Sequence, residues 1–482
     1  MIPAARIAAA IDLLAAIEAD RARPADAIAN DWFRGRRFIG SGDRRTVSDC
    51  VWHVLRHYRR LGWWLGRVRA ASGEGTPPPL AGLGREADEG RGERPEQAAM
   101  DIVLTFPPPP FPQKPGESDF RSHSPRLLVA ASLLLQATPL SAIATLFSGG
   151  RFAPAPLDAA EQAVLRPLEG HTIDHPAMPD AVRLEVPDWL YPRLAVRFGT
   201  ATRAELAALL LPAPLDLRVN LLKTTSAEAQ AALAAEGLRT TPTRFSPWGL
   251  RLDGRRQITA GAAFRSGLVE IQDEGSQLVA ILTDAHPGQR VCDYCAGAGG
   301  KTLALAAAMQ NRGHLLACDT AAARLDNAAR RLRRAGVGNV ERHLLEPGDK
   351  WAKRRAGSFD RVLVDAPCTG TGTWRRNPDA RQRLSESDLA ELLDRQAAIL
   401  DAAAALVRTR GHLVYATCSL LDAENEAQVT RFLARHPGFS LVPLAHAWPL
   451  QGPPPCEGEF LSLTPARHGT DGFFAAVLER TA

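Results

Sequence analysis

Two cysteines stand where neighbouring strands of a parallel sheet would bring them together. Cys368 follows the apolar run FDRVLVDAP at 359–367, and Cys418 stands near the end of GHLVYATCS at 411–419. We expect these strands to neighbour the predicted strand at 290–296, so that both thiols face one crevice. A single cysteine in such a place is most often an inert core residue. Two at adjacent strand ends, one beside Asp-Ala-Pro and glycines, favour a reactive thiol pair.

A glycine-rich loop, AGAGGKT at 296–302, follows the strand at 290–296 and leads directly into a predicted helix. Glycines let the backbone approach a ligand closely, and the first amides of the helix point at that ligand. Asp319 ends the next predicted strand, 314–319, where a carboxylate can accept hydrogen bonds from ribose hydroxyls. The pattern therefore predicts a site for a cofactor that carries a nucleoside.

Other interpretations of the loop fit less well. A P-loop would need a glycine five positions before Gly300, where the chain has Cys295, and a dinucleotide fingerprint would need its third glycine at Thr302. If the loop is considered alone, a tight turn between strand and helix that binds no ligand is still an alternative. Cys292 and Cys295 have the spacing of zinc or redox sites, but no second CxxC pair exists, so we expect no metal.

The elements that would position these residues alternate from 285 to the end of the chain. The pattern predicts further helices at 321–336, 387–409 and 422–435 and a last strand at 471–479. This is the order of a doubly wound α/β sheet.

The region at 185–284 predicts a small α+β module. It contains a strand within 214–225, a helix at 226–238 that begins at Ser226, and short strands near 248–253 and 267–272.

The helical periodicity of apolar residues in the remaining chain predicts an all-helical domain in two pieces, 1–70 and 126–168. The Pro- and Gly-rich segment 71–125 between them predicts a disordered insertion. Residues Leu127 to Phe147 carry no charge, but Pro139 divides them. A bilayer span needs about 20 apolar residues, so this stretch predicts two buried helices instead.

Composition restricts the class of protein. The chain has 482 residues, 45% of them hydrophobic, which argues against a disordered, fibrous or disulfide-stapled protein. The net charge of +5 permits nucleic-acid binding without demanding it. Seven cysteines without framework spacing indicate a reducing compartment, and Asp12 interrupts the apolar N-terminal run, so we expect no signal peptide and a cytoplasmic location.

The motifs DYCAGAGGKT, DAPCTGTGTWRRNPD and TCS resemble the signatures of the RsmB/Nop/Sun family of S-adenosylmethionine-dependent RNA 5-methylcytosine methyltransferases. The segments 217–220 and 272–277 are similar to the module that precedes the catalytic core in that family, and 465–474 is similar to its terminal HGTDGFF element. Residues 1–168 resemble the NusB-like RNA-binding domain of the bacterial rRNA enzyme, best over 31–45.

This resemblance implies a fold in three parts. Residues 285–482 would form a Rossmann-like class I methyltransferase domain with a doubly wound sheet. Residues 185–284 would form an RRM-like module, and the helical pieces would form a NusB-like domain.

The resemblance also implies roles for individual residues. Cys418 would be the nucleophile that adds to carbon 6 of cytosine, and Cys368 would assist release of the product. Asp365 would hold the cytosine edge, and Lys301 would support it electrostatically. The opposite assignment, in which Cys368 attacks, is typical of DNA cytosine methyltransferases, whose nucleophile follows a proline.

The cofactor implied by the resemblance is S-adenosylmethionine. Carried over from the family, the binding residues are Cys295, Ala296, Gly297, Ala298, Gly299, Gly300, Lys301, Asp319, Arg324 and Asp365. The family usually has proline where this chain has Ala298. Glu346 is the candidate for the contact that follows the third strand.

The segment after Cys368 could contact RNA. Arginines can pair with phosphates and tryptophan can stack on bases, so we expect Trp374, Arg375, Arg376 and Asn377 to bind RNA. The leading hypothesis is a monomeric enzyme that methylates carbon 5 of cytosine in rRNA or tRNA and has no membrane partner. The alternatives are a DNA cytosine methyltransferase and a non-catalytic RNA-binding assembly factor that retains the cofactor fold.

Overall fold

The computed structural model describes residues 1–71, 123–254, 256–346 and 350–482. The insertion expected at 71–125 lies almost wholly outside the described residues, so its predicted disorder stays a prediction. The described chain forms two compact units: Met1–Glu18 with Trp32–Pro179, and Ala19–Asp31 with Asp180–Ala482.

Within its described residues, the first unit contains helices and no strand. The helices up to Leu165 are α1 (Pro3–Ala19), α2 (Ala25–Arg34), which the unit boundary divides, α3 (Ser41–Arg56), α4 (Tyr58–Ala71), α5 (Pro125–Leu134), α6 (Leu140–Leu146) and α7 (Ala159–Leu165).

The uncharged stretch after Leu127 forms two helices, as predicted. Ser124 caps α5 by accepting a hydrogen bond from the backbone nitrogen of Leu127, and Pro139 is the N-cap residue of α6. The prediction that both helices are buried is only half right, because α5 is buried along its length whereas α6 buries only Ile143. No helix among the described residues is long and apolar enough to cross a membrane.

From Asp180 onward, the second unit has three short α-helices, α8 (Asp180–Arg183), α9 (Tyr191–Phe198) and α10 (Thr202–Ala208), and continues with a small antiparallel sheet. The elements of this module are β1 (Asp216–Val219), α11 (Ser226–Ala235), β2 (Thr240–Pro242), β3 (Gly249–Leu252), α12 (Ala262–Arg265) and β4 (Val269–Ile271).

The strand order of the small sheet is β2-β3-β1-β4 in the described chain. With its βαββαβ connectivity, this is a ferredoxin-like arrangement, so the predicted α+β module is confirmed. Helix α11 begins at Ser226, as predicted, but its cap lies one residue earlier. Thr225, not Ser226, is the N-cap residue, and Thr225 and Glu228 form a capping box.

The rest of the second unit forms a larger mixed sheet with helices on both faces. Its elements are α13 (Glu274–Leu282), β5 (Arg290–Asp293), α14 (Gly300–Ala308), β6 (His314–Asp319), α15 (Ala322–Ala335), β7 (Val340–Leu344), α16 (Trp351–Arg354), β8 (Phe359–Asp365), α17 (Ala380–Arg383), α18 (Glu386–Ala404), β9 (Val407–Thr417), α19 (Glu426–Arg435), β10 (Phe439–Val442), α20 (Leu444–Ala447), β11 (Leu461–Leu463), α21 (Pro465–His468) and β12 (Phe473–Arg480).

Over the described residues the large sheet has the order β10-β12-β9-β8-β5-β6-β7, with β11 paired to β12. Strands β7, β6, β5, β8 and β9 are parallel, and β12 runs antiparallel to β9. Alternate residues face opposite layers: Val364 packs with α18 and α19, whereas Leu363 packs with α13 and α14. The predicted doubly wound α/β fold is confirmed.

Two details differ from the prediction. Of the two strands that precede the thiols, only β8 lies directly beside β5. Strand β9 is one strand further away, although β8 and β9 are adjacent to each other. The helix predicted at 387–409 ends at Ala404, because the chain turns there and Val407 already pairs with Phe359 in the sheet.

Candidate active site

The carboxyl ends of four parallel strands meet at one edge of the large sheet. Asp293 at the end of β5 pairs in register with Ala317 of β6 on one side and Leu363 of β8 on the other. Asp365 at the end of β8 pairs with Ala416 of β9, two residues before Cys418. The register therefore brings the glycine loop, Asp365 and both thiol loops to the same edge.

The glycine loop makes a tight turn at the start of α14. Gly299, the N-cap residue, has φ +80°, a left-handed conformation that favours glycine. A Cβ on Gly299 would also lie 3.0 Å from the Cβ of Ala328. Gly297 has φ +54°, and nothing stands within 4 Å of the position of a Cβ there, so its backbone faces open space. One side of the turn is closely packed and the other is accessible to a ligand.

Asp319 is held firmly by backbone donors. The backbone nitrogen of Gly297 donates to its Oδ2 at 2.9 Å, and that of Ala321 donates to its Oδ1 at 2.8 Å. Each carboxylate oxygen can accept more than one hydrogen bond, so Asp319 keeps acceptor capacity for ribose hydroxyls.

Arginines hold the outer side of the same turn. Arg331 donates to the carbonyl of Ala298 at 2.8 Å and also pairs with Glu270 at 3.0 Å. Arg218 of the ferredoxin-like module lies 3.4 Å from the carbonyl of Gly300, and burial lowers its pKa to about 9. The small module therefore helps to position the loop of the large sheet.

Asp293 is a buried carboxyl group that the sequence analysis did not assign to the site. The hydroxyl of Thr302 donates to its Oδ2 at 2.6 Å, whereas its Oδ1 is buried and has no hydrogen-bond partner among the described residues. Burial raises the pKa of Asp293 to about 7. An unpartnered buried oxygen beside a glycine turn fits a ligand that brings a hydrogen-bond donor. The sequence signal that could have identified Asp293 is a charged residue at the end of an apolar strand.

Lys301 and Asp365 form an ion pair beside the loop. The Lys301 Nζ lies 2.6 Å from the Asp365 Oδ2 and 5.4 Å from the centre of the Phe473 ring. The Lys301 side chain is 8% exposed and that of Asp365 is 32% exposed, so the carboxylate is the accessible partner. A hidden ammonium thus fixes a carboxylate that a ligand can reach.

The two thiols lie in contact. The Sγ atoms of Cys368 and Cys418 are 3.4 Å apart, and both residues are partly buried. The hydrogen bond to Cys418, together with burial, raises the pKa of Cys368 well above its ordinary value. Cys368 therefore keeps its proton near neutral pH.

Two of the residues expected to bind RNA are buried, which does not suit that role. Trp374 is fully buried in an apolar cluster with Leu190 and Leu421. Arg375 is also buried and pairs with Asp471 at 2.5 Å. Base stacking on Trp374 and phosphate binding by Arg375 do not fit this packing, because neither side chain reaches the surface.

The other two expected RNA contacts lie nearer the solvent. Arg376 is partly exposed, but it pairs with Asp273 at 2.7 Å and with Asp471, so both neighbours already neutralise its charge. Asn377 is exposed. This segment ties the loop after β8 to the start of α13 and to the chain before β12.

The remaining predicted cofactor residues surround the loop. Cys295 is partly buried, and its pKa is raised by burial; Ala296 is buried, and its backbone nitrogen donates to the carbonyl of Cys318. Arg324 in the first turn of α15 and Glu346, two residues after β7, are exposed at the same edge of the sheet.

A doubly wound sheet with a glycine turn after its first parallel strand, a fixed carboxylate at the end of the second and a ligand-accessible acid at the end of β8 fits a Rossmann-like S-adenosylmethionine-dependent methyltransferase. Comparison with known proteins agrees. The family model for the 16S rRNA methyltransferase RsmB/F matches 280–479, and the model for the RsmF/B-like ferredoxin-like domain matches 186–259.

Individual relatives match more than half of the chain. A probable ribosomal RNA small subunit methyltransferase B of Synechocystis sp. is 38% identical over 61% of this chain and 66% of its own length. A probable enzyme of the same name from Bacillus subtilis is 31% identical over 64% of this chain and 69% of its length. The crystal structure of PH0851 aligns with a TM-score of 0.72 and 25% identity over 99% of both chains.

The chain belongs to the RsmB/F methyltransferase family, which confirms the predicted resemblance. The matched segments cover about two thirds of the length of the two curated relatives.

The cofactor of this class is S-adenosylmethionine, as predicted, and the described residues fit it. The accessible backbone at Gly297 and the fixed Asp319 suit a nucleoside, and the unpartnered oxygen of Asp293 suits the donors of the amino-acid part.

Proposed function

We propose that this protein methylates carbon 5 of a cytosine in RNA through a covalent adduct between Cys418 and the base. The observation that carries the proposal is the contact of two thiols, 3.4 Å apart, at adjacent strand ends. The accessible carboxylate of Asp365, fixed by Lys301, stands three residues before Cys368. A methyltransferase that acts on a nitrogen or oxygen atom has no need for such a thiol pair.

S-adenosylmethionine supplies an electrophilic methyl group, which carbon 5 of cytosine is too poor a nucleophile to accept. Addition of the Cys418 thiolate to carbon 6 places electron density on carbon 5. Asp365 holds the polar edge of the base by accepting from its exocyclic amino group. In its protonated form it donates to ring nitrogen 3 and so stabilises the negative charge that develops there during this attack. Lys301 keeps that carboxylate in position.

Release of the product needs the carbon 5 proton to leave and the bond between carbon 6 and Cys418 to break. Cys368 keeps its proton because its pKa is raised. In this proposal Cys368 gives that proton to the departing sulfur of Cys418, and the resulting Cys368 thiolate takes the proton from carbon 5. Both thiols are then restored.

The proposed substrate is 16S rRNA, in line with the names of the matching family and relatives. The target base must leave its stack to reach Cys418, so a single-stranded or remodelled segment is expected. We also propose that the helical unit is the NusB-like RNA-binding domain, with 1–70 and 126–168 as its pieces, and that 185–284 and 285–482 are the module and the catalytic domain.

The test is a methylation assay with methyl-labelled S-adenosylmethionine and three separate substrates: 16S rRNA that lacks native methylation, bulk tRNA and DNA. Nuclease digestion and mass spectrometry of the labelled nucleoside should identify 5-methylcytidine from rRNA. Label on tRNA alone would correct the substrate but keep the chemistry. Label on DNA alone, label at another atom of the base, or no label on any substrate would reject the proposal.

A further inference from the structure

A buried carboxylate, Glu424, joins the two loops that carry the thiols. Its Oε1 accepts from the backbone nitrogen of Thr369 at 2.8 Å, and its Oε2 accepts from the hydroxyls of Thr369 and Ser419. Thr369 directly follows Cys368, and Ser419 directly follows Cys418. One fully buried side chain therefore connects the residues next to both sulfur atoms.

No cation balances this carboxylate within the described ranges: Glu424 forms no ion pair there with Lys, Arg or His. Its fourth donor is the amide of Gln396, at 2.9 Å, which also donates to the carbonyl of Pro367. A buried charge without a counterion is costly, and a neutral side chain could join two loops at lower cost. This placement indicates a role beyond stability.

The two thiol loops depend on Glu424 to different degrees. Cys418 directly follows the last residue of β9, and the next residue is also held by Asn425, whose Nδ2 donates to the carbonyl of Ser419 at 3.0 Å. Cys368 lies three residues beyond β8, and both hydrogen-bond donors of Thr369, its backbone nitrogen and its hydroxyl, bind Glu424. Loss of Glu424 would therefore displace Cys368 more than Cys418.

We propose that Glu424 is a positioning residue for Cys368 and so serves the release of methylated RNA rather than the attack on cytosine. This inference rests on the proposed two-thiol function. It makes a specific prediction: a variant without the carboxylate still forms the covalent adduct and transfers the methyl group, but it resolves the adduct slowly.

The experiment compares Glu424→Ala, Cys368→Ala and the wild type, each incubated with substrate RNA and S-adenosylmethionine. Adduct is measured on denaturing gels and methyl transfer in a single turnover. Glu424→Ala should raise the adduct fraction and lower steady-state turnover by about 10- to 100-fold, which is the scale of a small misplacement of a reacting group. Single-turnover transfer should fall by less than about threefold.

The conservative variant Glu424→Gln separates geometry from charge. Its amide oxygen can face the backbone donor, and its amide nitrogen can donate to the two hydroxyls, so the loops stay in place. We expect adduct levels near those of the wild type. Because the pKa of Cys368 is raised by its hydrogen bond to Cys418, by burial and by the charge of Glu424, Glu424→Gln should move the alkaline limb of turnover to lower pH. A merely structural anchor would leave that limb unmoved.

Glu205→Ala is the matched control, since Glu205 is also a buried carboxylate that accepts from a hydroxyl, that of Thr464, and from a backbone nitrogen, that of Ala466. It should lower thermal stability without raising the adduct. If Glu424→Ala does not fold, Thr369→Val removes one donor and should still raise the adduct severalfold.

Normal adduct levels in every folded variant of Glu424 and Thr369, with trapping in Cys368→Ala, would overturn the inference alone. Absence of an adduct in Cys368→Ala as well would overturn the proposed function.

Discussion

The two halves of the site are built in opposite ways. Around the glycine loop, the backbone faces open space at Gly297 and the Asp293 Oδ1 has no partner among the described residues. Around the thiols, a dense set of side-chain hydrogen bonds centred on Glu424 joins the two loops. The cofactor half leaves hydrogen-bonding capacity for a ligand, whereas the thiol half uses most of its own internally.

The difference matches the demands of the chemistry. A cofactor with many polar groups can be held through backbone amides and a few acids, which tolerate changes of side chain. Two sulfur atoms that act in turn on one base must be placed within a fraction of an ångström, which only fixed loops achieve. Substitutions should therefore have large effects in the thiol half and small ones at backbone-lined positions of the cofactor half.

The largest effect is expected from Cys418→Ala. Without the nucleophile, carbon 5 stays unreactive, so turnover should fall by at least about 10³-fold and no covalent adduct should form. Labelled methyl transfer and denaturing gels measure both quantities. Normal S-adenosylmethionine binding serves as the control for folding. Substantial activity in Cys418→Ala would mean that the thiol half is not where the chemistry occurs.

Cys368→Ala should have a different signature. Attack and methyl transfer remain possible, but no thiol stands 3.4 Å from Cys418 to return a proton to its sulfur. Turnover should fall by about 10²- to 10³-fold while a covalent RNA adduct accumulates. The reverse pattern, with trapping in Cys418→Ala and none in Cys368→Ala, would exchange the roles of the two cysteines.

The same division explains what the sequence could predict. The glycine loop, Asp319 and both cysteines were found because local motifs mark the ends of apolar strands. The burial of Trp374 was not predicted. It depends on packing against Leu190, which is distant in the chain, and against Leu421, which belongs to none of the motifs.

The bounds of strand β7 could not be predicted for a related reason, although the resemblance implied a third strand before Glu346. Its side chains are half-buried or exposed, so no run of apolar residues marks it.

A third prediction concerns whether the free carboxylate oxygen of Asp293 binds the cofactor. Its pKa is raised to about 7 by burial, so it is protonated below that pH and ionised above it. If its free oxygen accepts from the cofactor's ammonium group, the Kd should rise about tenfold per pH unit below pH 7 and level off above about pH 8. Calorimetric titration between pH 5.5 and 8.5 measures this, with Asp293→Asn as the control that should lose the dependence. A Kd that is flat with pH in the wild type would assign Asp293 to structure alone.

The smallest effect is expected from Ala298→Pro, which introduces the residue usual in the resembling family. The backbone nitrogen of Ala298 donates no hydrogen bond among the described residues, and its carbonyl, which accepts from Arg331, is kept by proline. Affinity for S-adenosylmethionine should therefore change by less than about threefold, which is under 1 kcal/mol. Ala298→Gly, which loosens the same turn without removing a donor, is the matched comparison. A loss of affinity of tenfold or more in Ala298→Pro alone would show that the turn has its own backbone conformation here, so that the cofactor half is as exacting as the thiol half.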